Sequence, residues 1–129
     1  MIGYVGKIEE TTEQNSYFRQ VIYTGKHAQL VVMSLKPGEE IGMEVHGSVD
    51  QFFRIEEGKG KVVMNGEETA FSEGFGIIVP AGIEHNLINT SQTEILKLYT
   101  IYSPPNHPEG TIHKTKEEAM KAEEEEHNY

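Results

Sequence analysis

Apolar and aromatic residues recur along this chain in short runs of about four to eight positions, each closed by a turn signal. The runs predict strands over Gln29–Leu35, Ile41–His46, Gln51–Glu56, Lys61–Met64, Glu67–Phe71, Phe75–Val79, His85–Asn89 and Ile95–Tyr102. Between them stand Pro37-Gly38, Gly58-Lys59-Gly60, Asn65-Gly66, Gly74, Pro80-Ala81-Gly82 and Asn89-Thr90-Ser91. Asn65-Gly66 is the strongest hairpin signal, because a type I′ turn needs positive φ at both central residues. Upstream, Tyr17, Phe18, Val21, Ile22 and Tyr23 predict one or two further strands. Turns spaced roughly 8–12 residues apart indicate an all-β sandwich or barrel, whereas βαβ units would need intervening helices. No helical pattern is read before residue 114.

The chain therefore divides into a strand-bearing segment 1–27 of the same domain, a β-rich core 28–102, and a tail 103–129. The tail opens with Pro104-Pro105-Asn106-His107-Pro108-Glu109-Gly110, which cannot supply a regular hydrogen-bond ladder. Thr115–Glu126 then predicts a helix, with Thr115 as N-cap and Glu117 and Glu118 complementing the helix dipole. With only Ala119, Met120 and Ala122 to bury, this helix is expected to dock weakly or fray.

Composition narrows the picture. At 129 residues the chain suits one domain, and 36% hydrophobic content is enough for a single core. Cysteine is absent, which excludes disulfides, thiolate metal sites and Cys nucleophiles. A net charge of −10 argues against nucleic acid and anionic membranes as partners, since a phosphate backbone calls for a basic footprint. The first ten residues carry no apolar run of signal-peptide length and no stretch approaches a membrane span, so a cytoplasmic location is expected.

The candidate chemistry lies in two short segments. Glu44 and His46 are two apart, so on an extended strand they share a face, and Gln51 opens the next strand beyond a short turn. His85 follows Pro80-Ala81-Gly82 after the apolar run Gly76-Ile77-Ile78-Val79. Together, Glu44, His46, Gln51 and His85 offer two imidazoles, one carboxylate and one amide oxygen. That donor set suits Zn, Mn, Fe or Ni better than Ca, which prefers oxygen throughout.

At these positions the sequence resembles the cupin superfamily. The first cupin motif, G-x5-H-x-H-x3–4-E-x6-G, is matched in spacing by Gly38, Glu44, His46, Gln51 and Gly58, with Glu44 standing for the first His and Gln51 for the Glu. The second, G-x5-P-x-G-x2-H-x3-N, is matched by Gly74, Pro80, Gly82, His85 and Asn89. The resemblance covers about residues 28–102 and implies a jelly-roll (double-stranded β-helix) barrel. It further implies one divalent metal ion, held by Glu44, His46, Gln51 and His85. Small chains of this kind are commonly labelled as relatives of phosphomannose isomerases, which the site resembles in ligand chemistry. Their zinc is held by Gln, His, Glu and His, although their Gln and Glu occupy the opposite motif positions and are far more widely spaced.

The function expected is isomerase- or lyase-type chemistry on a small sugar, sugar phosphate or keto acid, with the metal as Lewis acid. Glu44 and Tyr99 are the candidate catalytic base and acid. An Fe- or Mn-dependent dioxygenase is the alternative reading, because two His and a carboxylate form a facial triad. A third is a binding domain without turnover. No Arg or Lys is placed in the cavity by sequence. Strand parity puts Arg54 opposite Gln51, in a surface ion pair or subunit contact. Solvated or structural roles are expected for His27, His113 and His127, whereas His107 is the best candidate to reach the barrel mouth. Phe53, Met64, Leu87 and Leu98 are read as core, and Asn89 as satisfying turn backbone. A free edge at residues 15–24 or 29–35 predicts a homodimer.

Overall fold

Alternation of inward and outward side chains builds most of this structure, a computed structural model that describes residues 2–127, the last three of them by backbone alone. The side chain of His127 lies outside the described residues. In Asp50–Glu57 (β3), Gln51, Phe53 and Ile55 are buried while their neighbours are part-exposed or exposed. Leu96–Ser103 (β8) repeats the pattern with Leu96, Leu98, Thr100 and Tyr102 inside. These two strands pair antiparallel from Asp50↔Ser103 to Glu57↔Lys97 and form the middle of the larger sheet.

The remaining strands are Arg19–Thr24 (β1), Gln29–Leu35 (β2), Lys59–Met64 (β4), Glu67–Ser72 (β5), Gly76–Val79 (β6), His85–Asn89 (β7) and Ile112–His113 (β9). They form a six-stranded sheet in the order β6-β3-β8-β2-β1-β9 and a three-stranded sheet in the order β5-β4-β7. Phe53, Ile55 and Leu98 from the first meet Val62, Phe71 and Leu87 from the second in one buried cluster, the interior of an all-β jelly roll. Between β4 and β5, Asn65 (φ 48°) and Gly66 (φ 84°) adopt the double positive φ of the expected hairpin turn.

Asn89 closes the bottom of this core. It is 1% exposed, and its amide donates to the carbonyls of Leu35, Lys36 and Glu94 while its oxygen accepts from the Ser91 N–H. One side chain thus satisfies backbone groups of two separate turns that the sheets leave unpaired.

Four expectations are corrected. A short helix, Ile8–Gln14 (α1), precedes the sheets, its buried Thr12 hydroxyl donating to the Ile8 carbonyl at 2.7 Å. Two threonines and the lack of a capping side-chain bond hide it from pattern reading. The 41–46 stretch is not a strand: only isolated bridges Glu40↔Ile88 and Glu44↔His85 form, because Gly42 at φ 110° breaks the extended run. The supposed free edges are covered at 29–35 and only in part at 15–24, since β2 lies between β1 and β8, whereas β9 pairs with β1 at Arg19 and Gln20 alone. The C-terminal helix, Lys116–His127 (α2), starts from the predicted Thr115 cap, whose hydroxyl accepts the Glu118 N–H at 3.2 Å. It docks more firmly than expected, with Ala119 at 3% exposure inside the core cluster. No helix among the described residues is long and apolar enough to cross a membrane.

Candidate metal centre

The loop that carries Glu44 and His46 is held to the β7 end of the barrel by backbone hydrogen bonds. Glu44 N–H donates to the His85 carbonyl at 2.8 Å, and His85 N–H returns a bond to the Glu44 carbonyl at 2.9 Å. Gly42 N–H donates to the Asn86 side chain at 2.9 Å, and Gly82 N–H donates to the His46 carbonyl at 2.8 Å. Residues from both motifs are therefore fixed against each other by main chain, independently of any ligand.

The side chains converge on the barrel interior. Glu44, His46 and His85 each offer a ligand atom, and these atoms lie within 4.8 Å of one another. The imidazole rings of His46 and His85 are 5.5 Å apart at an angle of 56°. His46 Nε2 contacts Glu44 Oε2 at 2.8 Å.

His85 shows which nitrogen is available. Its Nδ1 lies 2.9 Å from the Ile83 carbonyl, which only accepts, so Nδ1 carries the proton. Nε2 is left with a lone pair, and that atom is buried without a partner. Gln51 is similar: its amide nitrogen donates to Thr100 Oγ1 at 3.0 Å, while its buried Oε1 has no partner. In the β3–β8 pairing Gln51 stands opposite Tyr102 on the inward face. Two unsatisfied buried acceptors cost about 1–3 kcal/mol each, and a cation satisfies both. The Glu44–His46–His85 triad can hold a metal ion, and this pair of orphaned lone pairs fits one.

Burial alone pushes the Glu44 carboxyl upward, but the hydrogen bond to His46 and the nearby Arg19 charge outweigh it and hold Glu44 below the usual carboxylate range. Glu44 thus carries its negative charge over the whole neutral range.

Beside Glu44 and His46 lies a cavity of about 370 Å³, lined among others by these two and by Arg19, Asn106, His107 and Glu123. His107 reaches it from the Pro-rich segment, its Nε2 3.2 Å from the Tyr102 hydroxyl. Burial, and then the Arg19 charge, pulls His107 down to about 3. Burial likewise pushes the Tyr102 phenol well above its ordinary value. Both groups are neutral, so they exchange hydrogen bonds here and no net charge. Because the folded His107 binds its proton more weakly than the unfolded chain does, it lowers stability progressively as pH falls from about 6.5 towards 3. Urea midpoints measured from pH 7 to pH 4 are expected to fall less in His107→Asn than in the wild type. Parallel curves would show that His107 is not the group responsible.

Tyr99 is not in the cavity. It sits on the outer face of β8, its ring 6.3 Å from that of Phe52. Tyr102, three residues on and in phase with Leu96 and Leu98, occupies the inner face instead. Arg54 likewise faces outward, with its Nε 2.7 Å from Glu56. Arg19, passed over in the sequence, points inward because it is in phase with Val21, and it is 1% exposed. That parity was the available signal for both Arg19 and Tyr102.

Comparison with known proteins agrees with this geometry. The family model for the cupin domain matches residues 31–102. YrkC of Bacillus subtilis, itself uncharacterized, is 50% identical over 127 residues, which cover 93% of this chain and 67% of YrkC. The crystal structure of BH2720 from Bacillus halodurans superposes with a TM-score of 0.89 at 44% identity, over 92% of this chain and 93% of that one. The structure of KdgF from a Halomonas species shares the fold alone, with a TM-score of 0.63 at 18% identity over 68% of this chain and 78% of KdgF.

Proposed function

We propose, since this chain belongs to the cupin family, that Glu44, His46, His85 and Gln51 bind one divalent metal ion and that the protein is an enzyme acting on a small oxygenated metabolite by isomerase- or lyase-type chemistry. The observation that carries this reading is the orphaned Nε2 of His85 beside the carboxylate of Glu44. With the tautomer of His85 set by Ile83, the lone pair needs no rearrangement before it ligates. The orphaned oxygen of Gln51 supports it as the fourth donor.

A bound ion would supply Lewis acidity, polarising a substrate carbonyl. The chain's own residues do the rest. Glu44 offsets part of the ion's charge, and its backbone bridge to His85 keeps the two donors in register. His107 and the Tyr102 hydroxyl stand together near the cavity as neutral hydrogen-bonding groups, suited to orienting hydroxyl or carbonyl oxygens.

Elemental analysis of protein purified without added metal tests the reading. About one ion per chain is expected for the wild type and under about a tenth of that for His46→Ala, as for a site whose ligands act together. Metal retained equally by the variant would mark it as adventitious and end the proposal. Turnover with zinc under anaerobic conditions is expected, whereas oxygen consumption with iron or manganese would replace the isomerase or lyase reading with a dioxygenase.

A further inference from the structure

A fully buried arginine stands in the wall of the cavity with part of its hydrogen-bonding capacity unused. Arg19 is 1% exposed, and its Nε is buried without a partner. Burying a guanidinium is unfavourable unless its donors are matched, so an arginine placed inward on a strand needs a reason. Its neighbours hold it in place. The guanidinium carbon lies 5.3 Å from the centre of the Phe18 ring, and Nη1 donates to His113 Nδ1 at 3.2 Å. Tied at that end, the side chain keeps its Nε as an unused donor in the cavity wall.

Its position relative to the triad matters as much. Arg19, Glu44 and His46 line one cavity, and the Arg19 charge is felt at both Glu44 and His107. A ligand bridging the triad and Arg19 would carry an oxygen function at one end and a negative charge at the other. The volume of about 370 Å³ is at the small end of ligand sites, enough for a metabolite of a few carbon atoms up to a single sugar ring. Donor supply decides between the two common anions. A phosphate near neutrality has three terminal oxygens and close to two charges and calls for several donors, whereas Arg19, with Nη1 committed to His113 and Nε unused, suits the two oxygens of a planar carboxylate that accepts edge-on.

We propose that Arg19 anchors the carboxylate of the substrate, which makes the substrate class small hydroxy or keto acids, including sugar acids, rather than neutral sugars. This assignment rests on the metal-site reading above for the placement of the substrate's other end.

Isothermal titration of zinc-loaded and of chelator-treated protein, with zinc content measured on the same samples, tests it. The probes are glycolate against glycolamide, glucuronate against glucose, and inorganic phosphate. In the zinc-loaded wild type each acid is expected to bind at least about tenfold more tightly than its neutral counterpart and than phosphate. In Arg19→Gln that preference should fall close to one while zinc content is unchanged. Arg19→Lys, which keeps the charge but loses the planar edge, should recover only part of it. Equal binding of acid and neutral partner by the wild type, no acid binding at millimolar concentration, a preference for phosphate, or an undiminished acid preference in Arg19→Gln would each overturn the assignment. The wild-type comparison stands even where Arg19→Gln fails to fold. Loss of zinc from the wild type would instead sink the metal reading, and the acid preference of the chelated protein would still report on Arg19.

Discussion

Zinc at a thousandfold excess over its dissociation constant is expected to stabilise the wild type by about 4 kcal/mol, and His85→Ala to remove nearly all of that gain. The reason lies in where the donors come from. Glu44 and His46 sit on a loop, Gln51 is the second residue of β3 and His85 opens β7, so the unfolded chain cannot present them together and binding is confined to the folded state. His85 contributes the lone pair that is already aimed and unsatisfied. Without it, Glu44 and His46 keep their mutual 2.8 Å contact and offer the ion little. Urea denaturation with zinc and with chelator, for both proteins, reads the difference directly. A zinc-dependent shift of similar size in His85→Ala would show that the ion binds elsewhere.

A second large effect is expected far from the polar site. An alanine Cβ at Gly60 would lie 2.2 Å from the Ile88 carbonyl oxygen and 2.7 Å from Phe71 Cζ. Gly60 is on β4, the middle strand of the smaller sheet, paired with Phe71 on one side and Asn89 on the other. The nearer obstacle is backbone, which cannot rotate away, so β7 must move. Gly60→Ala is expected to cost at least about 3 kcal/mol, at the upper end of overpacking penalties. The same β4–β7 ladder runs from Gly60↔Asn89 to Met64↔His85, so zinc affinity should fall with stability. Gly47→Ala is the control, being exposed, with nothing within 4 Å of the added carbon and no positive φ. Its effect is expected within about 0.5 kcal/mol. A Gly60→Ala protein with an unchanged urea midpoint would show that β7 yields without cost.

Strands were legible wherever burial followed chain alternation. Gln29–Leu35 and His85–Asn89 form over the expected residues, and Asn65-Gly66 turns as its chemistry requires. Legibility failed where long-range bonding replaced local preference. Ile41–His46 reads as β-branched and apolar, yet it meets β7 only through bonds at Ile41, Gly42 and Glu44 without a continuous ladder, and Met43 and Val45 project into solvent. The donors Glu44, His46 and His85 nonetheless converge, because their spacing follows the fold and does not depend on a continuous strand. Side-chain chemistry alone does not separate Tyr99 from Tyr102, whereas the phase of burial from Leu96 onward puts Tyr102 inside. Arg19 escaped because a charged residue on a strand is ordinarily read as solvated, and only the burial of Val21 beside it shows which way it points.

The paired bonds between Glu44 and His85, 2.8 and 2.9 Å long, tie two donor residues together through their own amides. For an ion held as proposed, peeling of the 40–44 ribbon from β7 would part the donors and bare these amides together, and deuterium uptake at the Glu44 and His85 amides would time that opening.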